Sequence, residues 1–142
     1  MLMGRYAHSL DAKGRLIIPS RLREELGENF VIMKNLDHCL SLYPEKEWEK
    51  FTEALKGLPV ISSEPARKLQ RFIFANSDSC EVDKQGRALI PSVFRTYAGL
   101  EKDVILIGVQ NHAEIWDAER YAAYEAAMDE EDLTAGLDGL IL

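Results

Sequence analysis

The amino-acid sequence predicts an α+β fold built from two tandem, related halves. The first observation is an internal repeat, because the stretch at 11–20 recurs at 83–92 with the same Asp, Gly, Arg and Pro-Ser positions. The second is that β-prone segments flank each copy, whereas segments with helical spacing follow it. The third is length, since 142 residues fit one compact domain or two small halves with a common core. We therefore expect the halves to interlock about a pseudo-twofold axis as one β-barrel with short flanking helices.

Each copy of the repeated stretch begins with an Asp-x-x-Gly turn. Asp at the first position can accept hydrogen bonds from amides of the turn, and Gly at the fourth can take a positive φ without cost. β-prone residues before Asp11 and apolar residues after Arg15 predict a hairpin formed by residues 5–10 and 15–18. The same pattern recurs around 83–87. An acid and an arginine four residues apart at a hairpin tip can pair, which would hold the guanidinium in one orientation.

The first half, residues 5–57, continues after the turn with helices and strands. Proline is favoured at the first position of a helix and glycine just beyond the last, so these residues mark helix ends. The last helix has an apolar stripe at i, i+3 and i+7, formed by Trp48, Phe51 and Leu55. The expected elements are a short helix between Pro19 and Gly27, strands at 30–33 and 40–43, and a longer helix from Pro44 to about Lys56.

A helical linker, residues 58–76, connects the two halves and has no counterpart after the second copy. Ser62 or Ser63 can cap its helix, and Pro65 lies near the helix start. One side of this helix is basic. We interpret that side as an ordinary solvated surface and not as a nucleic-acid contact; its residues are Arg67, Lys68 and Arg71.

The second half, residues 77–128, repeats the order of strands and helices. Its last helix carries an apolar stripe that matches the stripe of the first half, and we interpret it as part of the core. The chain then continues as an acidic segment, 129–142, which we expect to be mobile or ordered only by a partner. The residues of the second stripe are Tyr121, Tyr124 and Met128.

The net charge of −7 is concentrated at one end of the chain. Residues 112–142 contain nine acidic residues and one basic residue, Arg120, so this segment carries −8 and residues 1–111 carry +1. An overall negative charge disfavours nucleic acid as a partner. The uneven distribution nevertheless permits a locally basic face away from the acidic end, and the local field decides binding.

Residues with catalytic or metal-binding chemistry are scattered. Cys39 and Cys80 have no close-spaced cysteine partner and are expected to be buried structural thiols. The spacing of the histidines is not typical of metal ligands, so we expect hydrogen-bonded polar histidines. An enzyme would need a titrating constellation, which we do not find, and nothing requires a cofactor, a metal or a small-molecule substrate. The three histidines are His8, His38 and His112.

The hydropathy pattern predicts no membrane partner. No apolar run approaches the roughly 18 residues of a membrane span. The start of the chain, Met-Leu-Met-Gly-Arg, lacks the apolar core of a secretion signal. These features favour a cytoplasmic location.

Two copies of Asp-x-x-x-Arg, each followed by apolar residues and Pro-Ser, resemble the MraZ family, whose halves are of the SpoVT-AbrB type. The second copy, at 83–91, is especially typical. So are the Leu-Tyr-Pro segment at 42–44, Trp48, and the Glu-Ile-Trp-Asp segment at 114–117. The likeness extends from about residue 4 to about residue 128, and two copies in register make it specific.

The resemblance implies a swapped-hairpin, AbrB-like β-barrel and a sequence-specific, DNA-binding transcriptional regulator of bacteria. The family acts on the division and cell-wall gene cluster, and we expect repression. It forms homo-oligomeric rings, binds repeated promoter boxes in double-stranded DNA and associates with the nucleoid. Its DNA-contacting pair carries over to Asp11 with Arg15 and to Asp83 with Arg87.

The chemistry of these residues agrees with base recognition. Arginine can donate two hydrogen bonds to guanine O6 and N7 in the major groove, worth about 1–3 kcal/mol of discrimination. Asp11 and Asp83 would orient the arginines or accept from a cytosine amino group. The alternative is an exposed turn with a surface ion pair, worth roughly 0–1 kcal/mol. Lys13 and Lys84, inside the turns, either contact phosphates or are simply solvated.

A function of another class also fits the sequence. The chain could be an oligomeric protein-interaction module, similar to an antitoxin, whose acidic C-terminal segment binds a partner. The charge of −8 after residue 111 favours this alternative.

Overall fold

The computed structural model describes residues 1–140, which form eight strands and six helices. The first half contains β1 (Arg5–Ser9), β2 (Arg15–Ile17), α1 (Ser20–Leu26), β3 (Asn29–Lys34), β4 (Leu40–Pro44) and α2 (Glu45–Leu55). The linker helix is α3 (Glu64–Ala75). The second half contains β5 (Ser77–Glu81), β6 (Arg87–Leu89), α4 (Ser92–Ala98), β7 (Asp103–Gly108), β8 (Ala113–Asp117) and α5 (Ala118–Ala126), and α6 (Glu130–Ala135) follows it. The fold is therefore α+β with two related halves, as predicted.

The strands form two antiparallel sheets. Six of them follow the order β1-β7-β8-β4-β3-β5, and the other two form a ribbon of β2 and β6. In the large sheet β1 lies against β7, with Arg5 opposite Ile107, and β4 lies against β8, with Ser41 opposite Glu114. Strands of both halves are therefore interleaved in the large sheet, and neither half has a sheet of its own.

The predicted hairpin of residues 5–10 and 15–18 is wrong in its pairing. The turn reverses the chain, since the Asp11 amide donates to the Arg15 carbonyl at 2.9 Å. Beyond it the strands diverge: β1 pairs with β7, and β2 pairs with β6 of the other half. The reason is burial, because a half of this size cannot cover its own apolar strand faces and each covers those of the other. The exchange agrees with the swapped hairpin that the resemblance implies.

The ribbon of β2 and β6 lies beside both edges of the large sheet. It follows β1 through the first turn, and an isolated bridge between Val82 and Ala88 joins it to the end of β5. Backbone bonds also cross between halves, from the Ile18 amide to the Gly86 carbonyl and from the Ile90 amide to the Gly14 carbonyl, each 2.9 Å. The eight strands thus surround one core.

That core contains apolar side chains from both halves. Fully buried members include Leu16, Ile18 and Ile32 of the first half and Ile90 and Leu106 of the second. Burying one such side chain contributes about 1.5–3 kcal/mol. The shared core therefore makes the folding of each half depend on the other.

The helix predictions hold, with small differences at the ends. Pro19, Pro44 and Pro91 were predicted as first helical residues but are the N-caps of α1, α2 and α4, so each of these helices begins one residue later than predicted. Ser63 caps α3 and accepts a hydrogen bond from the Ala66 amide at 3.2 Å. Asp117 caps α5 in the same way through the Arg120 amide.

A second, smaller core lies between α2, α3 and the sheet. Met33, Tyr43 and Ile73 are buried there, and the half-buried α2 stripe packs against them, as predicted. In the second half the prediction of a core stripe is wrong for two residues: Tyr124 is 45% exposed and Met128 37% exposed. The reason is that α3 covers α2, whereas no helix among the described residues covers α5 in the same way.

The acidic segment contains one helix that the sequence patterns did not predict. Asp129 and Asp132 form a capping box at the start of α6, and none of the helix residues is buried. Leu133, Leu137 and Leu140 are exposed. The mobility expected for 129–142 stays a prediction, and residues 141 and 142 lie outside the described part of the chain. None of the helices in residues 1–140 is long and apolar enough to cross a membrane.

Candidate nucleic-acid interface

The first turn is organised by the carboxylate of Asp11. Its Oδ1 accepts from the backbone amides of Lys13 and Arg15, each at 2.9 Å, and its Oδ2 accepts from Arg15 Nε at 2.7 Å. Gly14 closes the turn, with its amide 3.0 Å from the Asp11 carbonyl and a φ of 83° that favours glycine. The predicted pairing of Asp11 with Arg15 is confirmed. Arg15 is bonded to Asp11 through Nε, and its terminal guanidinium nitrogens form none of the hydrogen bonds within residues 1–140, so they can donate to another group.

The second turn repeats this geometry. Asp83 Oδ1 accepts from the amides of Gln85 and Arg87 at 2.9 Å, and Asp83 Oδ2 accepts from Arg87 Nε at 2.9 Å. Gly86 has a φ of 79°. Lys13 and Lys84 are exposed and form none of the ion pairs found within residues 1–140. The sequence repeat therefore corresponds to two equivalent arginine-presenting turns.

The hydrogen bonds of each turn keep its aspartate ionised. The pKa of Asp11 is lowered from its ordinary value of 3.8 to about 2, chiefly by the hydrogen bond from the Arg15 amide, with smaller contributions from the Arg15 side chain and the Lys13 amide. The pKa of Asp83 is lowered for the corresponding reasons. Each arginine is therefore held by a carboxylate at every pH near neutrality.

The two arginines lie on one face of the ribbon. The register pairs Arg15 with Leu89 and Ile17 with Arg87, whereas Leu16 pairs with Ala88. Side chains alternate between the faces of a strand, so Leu16 and Ala88 point into the core, where both are fully buried. The outer face of the ribbon consists of Arg15, Arg87 and the exposed Ile17 and Leu89, and we call it the reading face.

Two further arginines lie behind the turns, each from the opposite half. A Cβ placed on Gly14 would lie 2.8 Å from the Arg95 guanidinium carbon, and one placed on Gly86 would lie 2.8 Å from Arg23 Nη1. Arg95 Nε donates to the Ile90 carbonyl at 2.8 Å, whereas Arg23 Nε is buried with no partner in the described part of the chain. The sequence repeat shows that Arg23 and Arg95 occupy matching positions. It does not show that each lies behind the turn of the other half, because that placement depends on the swapped fold.

Other basic residues are engaged elsewhere. Arg5 forms an ion pair with Glu125 and lies over the Tyr121 ring at 5.3 Å. Arg67 donates to the Val60 carbonyl at 2.9 Å, and Lys68 lies 3.6 Å from Glu64. These contacts agree with the interpretation of the α3 surface as an ordinary solvated one.

A polar network lies at the junction of β4 and β8. Glu114 accepts from Trp116 Nε1 at 3.0 Å and lies 3.0 Å from His112 Nε2. The Asn35 side chain donates to Ser41 at 2.9 Å and also reaches Glu114. This network joins the halves, and it confirms the prediction of a hydrogen-bonded polar histidine for His112.

The two cysteines are buried, as predicted. Cys39 is 0% exposed and Cys80 is 7% exposed. Burial raises the pKa of Cys39 and raises the pKa of Cys80 to about 11, so neither thiol ionises near neutrality. Within residues 1–140 no three His, Cys, Asp or Glu side chains are grouped closely enough to hold a metal ion.

Comparisons with known proteins match the two-half architecture. A family model described as "MraZ protein, putative antitoxin-like" matches the chain twice, over residues 1–72 and 73–142. The transcriptional regulator MraZ of Limosilactobacillus fermentum is 48% identical over 142 residues, 99% of either chain. That of Heliobacterium modesticaldum is 52% identical over 124 residues, 87% of this chain and 86% of the relative. That of Halothermothrix orenii is 46% identical over 142 residues, again 99% of both chains.

Proposed function

Because the chain belongs to the MraZ family, we propose that it is a DNA-binding transcriptional regulator in which Arg15 and Arg87 recognise bases. The observation that carries the proposal is the reading face, where two arginines stand on one outer surface of a two-stranded ribbon. Each is held through Nε by its own aspartate, which leaves the terminal nitrogens to donate. The relatives' name, transcriptional regulator, supports the same function.

The chemistry of the reading face suits the major groove. A two-stranded β-ribbon fits that groove, and an arginine donates two parallel hydrogen bonds to guanine O6 and N7. Asp11 and Asp83 act as orienting groups, because fixing the guanidinium before binding lowers the entropy lost on binding. Each correct arginine–guanine pair then contributes about 1–3 kcal/mol of discrimination.

Contacts with the DNA phosphates supply the remaining affinity. Lys13 and Lys84 flank the reading face and are suited to phosphates, which position a protein without specifying sequence. Residues 112–142, which together carry a charge of −8, limit non-specific binding elsewhere on the surface. Binding should therefore be strongly salt-dependent and modest for one chain.

Useful specificity requires several chains. One reading face offers two arginines, so we propose a homo-oligomeric ring that binds repeated promoter boxes and gains affinity through effective concentration. In keeping with the family resemblance, the proposal includes repression of the division and cell-wall gene cluster, a cytoplasmic location and association with the nucleoid. It includes no enzymatic step.

A binding titration at fixed salt tests base recognition. The probes are a promoter duplex from the division and cell-wall gene cluster and a scrambled duplex of the same composition. Native protein should prefer the promoter, and Arg15→Ala and Arg87→Ala should each lose about 10-fold to 100-fold of that preference. Light scattering must show an unchanged particle size. Equal binding of both duplexes by all three proteins would refute base recognition by these arginines.

A second candidate function, a protein-interaction module, is favoured by the acidic segment. α6 has no buried residue, Leu133 within it and Leu137 and Leu140 after it are exposed, and the family description includes the term antitoxin-like. Deleting residues 129–142 separates the two functions. A variant that retains selective DNA binding but loses a protein partner would assign interaction to this segment, whereas loss of DNA binding would assign the segment to the regulator itself.

A further inference from the structure

Two large aliphatic side chains stand on the reading face between the arginines. Ile17 is 50% exposed and Leu89 is 56% exposed, although every neighbouring ribbon residue that points inward is fully buried. The register places Ile17 opposite Arg87 and Leu89 opposite Arg15, so each arginine has an aliphatic side chain as its cross-strand neighbour. The arrangement is symmetric about the middle of the ribbon. Two such side chains at equivalent positions, each beside an arginine, form an apolar surface that a ligand with an apolar group can cover.

The charge of this surface limits what that ligand can be. The reading face carries Arg15 and Arg87, the exposed Lys13 and Lys84 lie in the adjoining turns, and the aspartate of each turn is paired with its own arginine. The same face of a second copy would bring like charges together, which disfavours self-association through it. An anionic ligand that carries small apolar groups matches both the positive charge of the reading face and its two aliphatic side chains.

The major groove of DNA has this combination. Its phosphates are anionic, and the thymine C5-methyl is the apolar group that base edges present there, suited to contact with aliphatic side chains. Residues i and i+2 of a strand lie about 6.6 Å apart, which corresponds to roughly two base-pair steps of about 3.4 Å. A ribbon that places Arg15 on a guanine therefore places Ile17 near a base about two steps away.

We propose that Ile17 and Leu89 contact thymine methyl groups, and so determine specificity beside the guanines read by Arg15 and Arg87. This inference rests on the proposed function. The preferred DNA site then contains thymines within about two steps of its guanines, since strand and base-pair spacings are similar. Neither side chain donates or accepts hydrogen bonds, so recognition depends on burial of the methyl group alone.

Replacement of thymine by deoxyuridine tests the contact, because it removes the methyl group and leaves base pairing intact. The probe is a duplex enriched by the native protein from a randomised library, with its thymines replaced by deoxyuridine one at a time. We expect about threefold to fourfold weaker binding at each contacted thymine, the worth of one buried methyl. At other thymines the replacement should have no effect.

Variants identify which side chain makes the contact. Ile17→Ala and Leu89→Ala should each remove the deoxyuridine effect at a different thymine. In the same duplex, Arg15→Ala should still bind more weakly when the thymine contacted by Leu89 is replaced by deoxyuridine. Ile61→Ala is the matched control, because Ile61 is 96% exposed and lies in the linker. Particle size should be unchanged in all variants, and the unfolding temperature should change little in Ile17→Ala, Leu89→Ala and Ile61→Ala, since these side chains are at least half exposed.

The outcomes separate this inference from the function on which it rests. In one outcome Arg15→Ala and Arg87→Ala lose selectivity while no thymine is sensitive to deoxyuridine, and in another the enriched sites lack thymine. Either result refutes the methyl contact and leaves the proposed base recognition by the two arginines supported. If the library yields no enriched sequence, both proposals fall. Deoxyuridine effects that persist unchanged in Ile17→Ala and Leu89→Ala would assign the methyl contacts to other residues and refute this one.

Discussion

The last helices of the two halves, α2 and α5, carry matching apolar stripes in different surroundings. On α2 the stripe packs under α3 in the smaller core, where Trp48 and Phe51 also contact the Tyr43 ring. On α5 the corresponding Tyr124 contacts Trp116 but is 45% exposed, because the chain continues into α6 instead of a covering helix. The turns, by contrast, are nearly identical in the two halves. The duplicated sequence thus keeps its geometry where the halves meet and differs at the periphery.

Alanine substitutions in the two stripes should lower the free energy of unfolding by different amounts, and this is the largest expected difference between the halves. Phe51→Ala opens a space in the smaller core and should lower the free energy of unfolding by about 2–3 kcal/mol, less than for a fully buried phenylalanine. Tyr124→Ala removes a ring that is already 45% exposed and should cost about 1 kcal/mol. Urea unfolding at one fixed protein concentration measures both. Equal costs would mean that another chain covers the α5 stripe, which would contradict the exposed surface described here.

Much of the fold was predictable because it depends on local chemistry. Prolines and glycines mark the ends of α1 and α4, and Ser63 and Asp117 cap the helices that follow them, since capping needs only neighbouring residues. Strand partners were predicted less well. The pairing of β2 with β6 instead of β1 depends on which apolar faces remain uncovered, and that is a property of the whole molecule.

In the candidate site, too, the features that depend on neighbouring residues were predictable and those that depend on the whole fold were not. Pairing of Asp11 with Arg15 followed from their spacing, because both belong to one turn. The positions of Ile17 and Leu89 between the arginines did not follow, since they depend on the register of a ribbon made from both halves. The helix α6 was also missed, because its acidic composition resembles that of an unstructured segment although its first turn has a capping box.

Substitutions of the turn glycines test whether the two turns are equivalent. Both Gly14 and Gly86 have positive φ, so alanine at either position should cost about 1–2 kcal/mol of unfolding free energy. The added methyl also meets an arginine of the opposite half. Arg95 is anchored by its bond to the Ile90 carbonyl, whereas Arg23 Nε has no partner within residues 1–140, so Arg23 can move aside more easily. We therefore expect Gly14→Ala to be the more destabilising.

Thermal unfolding of the two variants checks this order. Gly139→Ala is the matched control, because a methyl there meets no atom within 4 Å. A larger loss for Gly86→Ala would show that Arg23 is held more firmly than its hydrogen bonds indicate.

The titration midpoints of Asp11 and Asp83 should differ only slightly, which makes this the smallest expected difference between the halves. The folded pKa of Asp11 is about 2, below its ordinary value of 3.8. Its contribution to stability is therefore complete above about pH 4 and is lost as the pH falls toward 2. The pKa of Asp83 is lowered in the same direction, with its Oδ2 at 2.9 Å from Arg87 Nε against 2.7 Å in the first turn. The shorter contact predicts the lower midpoint for Asp11.

Carbon-13 NMR of the side-chain carboxyl groups measures both midpoints, and Arg15→Ala supplies the control. The backbone amides of residues 13 and 15 still donate to Asp11 in that variant, and the Arg15 amide is the main cause of the lowered pKa. The pKa of Asp11 should therefore rise only part of the way toward 3.8. A complete return to that value would mean that the guanidinium holds the carboxylate in the turn. The partial return expected here means that the backbone amides hold the carboxylate, which in turn orients the arginine for its ligand.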